Sequence, residues 1–173
     1  MSNTVTSAAR GQENEQTSSK FLTFFLSEEE YGLEILKVQE IIGVMDITPL
    51  PGTPPYLCGV INLRGKVIPV VNLRLKFDME AVARTSETCI IVVKVNGVER
   101  GIVVDKVSEV ADINAAEIEE APAFGTDIST DYILGIGKSA GRVKLLLDID
   151  KVLAGTQADE LGAAAELAGA AAN

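Results

Sequence analysis

Apolar residues along this chain gather in short runs separated by polar turns, not in a helical stripe. Phe21-Leu22-Thr23-Phe24-Phe25-Leu26 reads as a strand, the charged segment 27–30 as a turn, and residues 31–36 as the return of a hairpin. Residues 38–42 continue as strand or form one helical turn. Pro49, Pro51, Pro54 and Pro55 then interrupt regular structure. Residues 56–58 are expected to make a short helical turn stopped by Gly59. Residues 60–63 and 66–71 flank Arg64-Gly65 as a second hairpin. The third is the best marked: residues 89–95 run into Asn96-Gly97, a dipeptide that tolerates positive φ, and the chain returns over 100–107. Residues 110–113 extend that strand after a bulge, and 133–136 with 142–149 form a fourth hairpin around 137–141. Residues 150–153 close as a turn or short helix.

Regularly spaced short strands with glycine turns, and no long amphipathic helix to cover a parallel sheet, point to an all-β fold. Eight to ten strands over roughly 135 residues fit one sandwich or two small barrels, with polar residues 78–88 dividing the halves. The flanks differ. Residues 1–19 are rich in Ser, Thr, Gln and Asn and are expected to be disordered. Residues 154–173 are alanine-rich but interrupted by Gly155, Gly162 and Gly169, as in a frayed helix.

Charge narrows the function. The net charge of −10 divides into −1 for residues 1–19, −6 for 20–153 and −3 for 154–173, which argues against a general nucleic-acid binder. Within the body, residues 47–77 hold Arg64, Lys66, Arg74 and Lys76 and no acid. Residues 107–137 hold Glu109, Asp112, Glu117, Glu119, Glu120, Asp127 and Asp131 and no base. Two readings stand: solvated loops, or a bipolar molecule whose ends recognise complementary surfaces. The chain lacks histidine, so Ser-His and Cys-His nucleophile pairs and histidine-ligated metals are excluded. Cys58 and Cys89 have no metal or redox spacing and read as reduced thiols of a cytosolic protein. The polar N-terminal segment lacks the apolar centre of a signal peptide.

Candidate motifs for chemistry fail on inspection. Gly137-Lys138-Ser139 ends like a phosphate loop, but Tyr132 stands where the first glycine belongs and the segment joins two strands. Residues 127–131 open like a calcium loop, yet Tyr132 replaces its glycine and Lys138 its final glutamate. Asp105 and Asp148 lie in apolar strands, where capping competes with a histidine-free acid–base role. No cofactor is expected. A binding module remains, and Arg64, at a hairpin tip beside Gly65, is placed for a bidentate contact with a carboxylate. Glu40 is a candidate partner within the chain, which would make Arg64 an organiser of a groove.

Several ordered segments carry a family resemblance: 21–26 with Tyr31-Gly32, 35–41, 59–74, 101–110 and 145–148. Over roughly residues 20–153 the chain resembles the CheW family of bacterial chemotaxis coupling proteins. One departure is Asn72, where the family usually carries Asp. The resemblance implies two packed SH3-like five-stranded β-barrels with short helical turns. Their approximate limits are 33–83 and 84–145, and terminal strands can exchange between them. It implies a non-catalytic adaptor without cofactor, cytoplasmic and stationed at receptor arrays on the inner membrane face. Its partners would be the chemoreceptor hairpin tip, the regulatory domain of the chemotaxis histidine kinase, and other copies of itself in rings. The positions that match receptor binding are Val38, Glu40, Gly59 and Arg64, and those that match kinase or receptor coupling are Gly101 and Val110. The alternative is a scaffold of another sensory system on the same fold.

Overall fold

The computed structural model describes residues 18–120 and 132–154. Among the described residues ten strands run in the order β1 (Ser18–Leu26), β2 (Glu29–Glu34), β3 (Val38–Gly43), β4 (Leu57–Leu63), β5 (Lys66–Asn72), β6 (Cys89–Val95), β7 (Val98–Val104), β8 (Lys106–Asn114), β9 (Ile133–Ser139) and β10 (Arg142–Leu147). Two short helices, α1 (Leu73–Lys76) and α2 (Ile149–Leu153), follow β5 and β10. The expectations for residues 1–17 and 155–173, and for Asp127 and Asp131, lie outside the described residues. Ser18 and Ser19, expected to be disordered, begin β1 and pair with Asn114 and Ile113.

The strands form two five-stranded sheets, β3-β6-β7-β5-β4 and β8-β1-β2-β10-β9. In each, the chain beyond one edge strand pairs with the other edge: Thr48 bridges Val60 of β4, and Glu119 bridges Ile136 of β9. Each sheet is thereby drawn into a small barrel, here the first (β3–β7) and the second. The division expected at residues 78–88 does not hold. The hairpin β6–β7 inserts between β3 and β5, through a parallel pairing of β5 with β7. Limits of 33–83 and 84–145 are therefore replaced by residues 38–104 for the first barrel. The second joins the N-terminal hairpin to β8–β10 through the parallel pair β10–β2.

The two barrels repeat one plan, circularly permuted. Gly101 lies between Val92 and Val70, as Gly32 lies between Thr23 and Leu146. Gly59 pairs with Val70, as Gly135 pairs with Leu146. Asn72 caps α1 by accepting from the Leu75 amide at 3.3 Å, and Asp148 caps α2 by accepting from the Lys151 amide at 3.3 Å. The departure at residue 72 therefore keeps the cap, because Asn and Asp oxygens accept equally well.

Alternation explains the continuous apolar runs. In β6, Ile90 and Val92 enter the first barrel's interior, while Ile91, Val93 and Val95 enter a core shared by both barrels. That shared core takes Leu22, Phe24, Tyr31 and Leu147 from the second barrel. Phe24, Tyr31, Phe77 and Tyr132 stack in series through it, with ring centroids 5.8, 6.1 and 6.0 Å apart.

The segment expected to be a helical turn at 56–58 instead opens β4 at Leu57. Leu57 pairs with Val71, and the Tyr56 carbonyl accepts from the Asn72 amide at 2.7 Å, so strand geometry satisfies the backbone here, with a register shift between Leu57 and Gly59.

Candidate functional site

The hairpin β4–β5 turns through Arg64 and Gly65 at φ 53 and 86, the left-handed pair of a type I′ turn. Asn62 ties the turn by accepting from the Gly65 amide at 3.0 Å. This geometry carries Arg64 to Glu40 on β3, and the two form an ion pair. Because β3 and β4 are the opposite edges of the sheet, the pair closes the barrel over its open end. Nearby, Lys66 donates to Glu99 of β7 at 2.9 Å. Gln39, Glu40, Leu63, Arg64, Lys66 and Glu99 line a cleft of about 330 Å³.

The structure sorts the sequence-derived positions. Glu40 and Arg64 come together at the cleft. Val38 pairs with Val93 and packs half-buried against the shared core. Gly59 is buried at φ 140, and a Cβ there would fall 2.0 Å from the Thr48 carbonyl oxygen. Gly101 is buried too, but a Cβ would meet Ile90 Cγ2 at 2.9 Å, so its small size matters and not its backbone conformation. Val110 lies apart on β8, 51% exposed. Lys66, Glu99, Gln39 and Leu63 were not singled out from sequence as site residues. The signal for Lys66 and Glu99 was their place beside the two glycine turns, Arg64-Gly65 and Asn96-Gly97.

Among the described residues, three of the four bases of 47–77 and three of the five acids of 107–137 lie in ion pairs. Arg74 binds Asp105 through two bonds, Nε–Oδ1 at 2.7 Å and Nη2–Oδ2 at 2.6 Å. Burial pushes the Asp105 carboxyl up, but Arg74 and the Ser27 amide outweigh it and hold it below the usual range. Lys76 lies over the Tyr56 ring, 4.3 Å from its centroid, and 5.8 Å from the centroid of the Tyr132 ring. On the acidic side, Asp112 pairs with Lys20 and Glu119 with Lys138. Asp105 and Asp148 thus serve as a clamp and a helix cap. Burial raises the Cys58 thiol, with Arg84 opposing.

In the second barrel Lys144 is wholly buried, donating to the Ser139 carbonyl at 2.9 Å and lying 3.4 Å from Glu109 and 3.7 Å from Glu30. It fills the interior position that Ile68 holds in the first barrel, since Lys144 pairs with Gly137 as Ile68 pairs with Ile61.

A family model described as CheW-like domain matches residues 20–157. Chemotaxis protein CheW of Klebsiella aerogenes is 42% identical over 139 residues, covering 80% of this chain and 84% of that protein. Chemotaxis protein CheW of Bacillus subtilis is 35% identical, covering 80% and 88%. The crystal structure of the scaffolding protein TtCheW from Thermoanaerobacter tengcongensis superposes with a TM-score of 0.74 at 34% identity, covering 80% of this chain and 90% of that one.

Proposed function

The chain belongs to the CheW-like family, and from that premise we propose that it is a chemotaxis adaptor coupling transmembrane chemoreceptors to the chemotaxis histidine kinase. Its output is contact, without chemistry of its own. The observation that carries the site assignment is the Glu40–Arg64 pair, which joins two strand edges and organises a cleft at the barrel's open end. The receptor hairpin tip docks there against Glu40 and Arg64. Val38 anchors the start of β3 on the shared core, and Gly59 lets residues 48–49 approach β4. Kinase coupling involves the second barrel through exposed Val110, while Gly101 acts through packing. The adaptor works in the cytoplasm at receptor arrays, where further copies join in rings. Among the described residues no helix is long and apolar enough to cross a membrane.

Mechanistically, the adaptor holds receptor and kinase in a fixed relation, and it transmits only the difference in contact free energy between receptor states. Nothing in the structure favours a different sensory partner. The test is a reconstituted receptor–kinase assay. Arg64→Ala and Glu40→Ala each reduce receptor-stimulated kinase activity while the monomer stays folded. Normal stimulation with both variants overturns the site assignment.

A further inference from the structure

The ion pairs of the cleft differ from three others on the surface. In Lys20–Asp112, Lys106–Glu87 and Lys138–Glu119 the two side chains are about equally exposed: 61% and 64%, 53% and 59%, and 63% and 68%. In the cleft the cations stand outermost. Arg64 is 71% exposed over Glu40 at 28%, and Lys66 is 72% exposed over Glu99 at 22%. Each cation gives one donor to its own carboxylate and keeps its remaining donors toward solvent.

The second barrel repeats half of this arrangement. Arg142, opposite Ser139 as Lys66 is opposite Leu63, pairs with Glu30. Glu30 precedes Gly32 by two residues, as Glu99 precedes Gly101. There the hairpin tip carries Ala140 where the first barrel has Arg64, and Glu109 stands half-exposed near the same network. The second barrel's mouth thus mixes signs, whereas the first presents cations over sunken carboxylates.

We infer that Lys66, with Arg64, is a specificity-determining contact that receives an acidic segment of the docking partner, and that Glu99 orients Lys66 for it. The inference rests on the assignment of this cleft to the receptor. A partner carboxylate entering the cleft shares Arg64 with Glu40 and Lys66 with Glu99, so each cation becomes a bridge between two anions. A partner with a basic face is repelled at the same two points.

A charge swap separates contact from strut. Lys66→Glu, Glu99→Lys and the double variant are compared with wild type for co-sedimentation with chemoreceptor signalling fragments on liposomes, across a salt series. Lys66→Glu weakens binding about tenfold. The double variant regains the internal pair, and with it the wild-type thermal midpoint. It nevertheless stays about tenfold weaker and loses the wild-type weakening with salt. Lysine substitutions at the acidic positions of the receptor fragment restore its binding. A double variant that binds within about twofold of wild type shows a strut only and overturns the inference while leaving receptor docking intact. Wild type that fails to co-sediment overturns the docking assignment, and this inference with it.

Discussion

Gly59→Ala separates a residue that touches a partner from one that lets the fold exist. Gly59 lies at φ 140, a conformation side chains rarely adopt, and a Cβ there would sit 2.0 Å from the Thr48 carbonyl oxygen and 2.8 Å from Pro49 Cα. Relief requires moving residues 48–49 away from β4 by more than about 1 Å, because a carbon–oxygen contact needs over 3 Å. That movement breaks both bonds of the bridge, Thr48 amide to Val60 carbonyl and Val60 amide to Thr48 carbonyl, each 2.8 Å. Backbone strain contributes about 1–3 kcal/mol. The two bonds contribute about 0.5–1.5 kcal/mol each. The expected loss is therefore about 2–6 kcal/mol, from a total of about 5–15 kcal/mol for a domain. With a urea slope of about 2 kcal/mol/M, the unfolding midpoint falls by about 1–3 M. Any loss of receptor coupling should follow that instability and recover when the folded fraction is restored at low temperature. A Gly59→Ala protein within about 1 kcal/mol of wild type that still fails to couple would refute this reasoning and make Gly59 a direct contact.

Three further outcomes follow from particular contacts. A double-mutant cycle on Glu40 and Arg64 should give a stability coupling of only about 0.2–1 kcal/mol in thermal unfolding, as for an exposed pair; a coupling several times larger would show a buried strut. Because Asp105 is held below the usual carboxylate range, its stabilisation is present above about pH 4 and lost as pH falls through its folded value. Asp105→Asn should therefore flatten the acid limb of a stability–pH profile, and an unchanged limb would show that Asp105 does not contribute to it. Asn72→Ala should cost about 1 kcal/mol in urea unfolding through loss of the α1 cap, with Asn72→Asp within about 0.5 kcal/mol of wild type; equal stability of all three would show that the cap contributes nothing.

Local chemistry made much of the fold readable. The hairpins at Arg64-Gly65, Asn96-Gly97 and Ala140-Gly141 all turn through paired positive φ values, a conformation that the flanking alternation and the glycines specify without reference to the rest of the chain. Non-local pairing left no such mark. The parallel pairs Val70–Gly101 and Leu145–Tyr31 join segments whose separation is set by loop closure and not by turn residues. That is why residues 78–88 looked like a division between barrels when β6–β7 in fact returns to the first. The same limit governs the site. Arg64 was visible because it interrupts a turn, and Glu40 was a reasonable partner for it. Lys66 and Glu99 each sit beside their own hairpin turn, and only the insertion of β7 beside β5 brings them together. Gly101 was marked only by the family resemblance, and the reason it is glycine is the Ile90 methyl, which no local pattern reveals.

The repeated plan bears on how one adaptor meets two kinds of partner. Ile41 on β3 pairs with Ile91, and Val110 on β8 pairs with Leu22, at equivalent registers. Both are exposed apolar residues, at 44% and 51%. The barrels thus offer the same backbone frame and a similar apolar foothold twice, and shape alone discriminates poorly between them. Charge supplies the difference: paired cations over sunken acids in the first barrel, mixed signs in the second. Like-charge juxtaposition excludes the wrong partner more effectively than one extra attraction recruits the right one. The shared core then limits how independently the two ends move. Arg74 on α1 binds Asp105 at the β7–β8 junction, and Asp105 also accepts from Ser27 in the β1–β2 turn, so one clamp spans both barrels. A bias applied at the cleft would therefore reach the second barrel through a packed body.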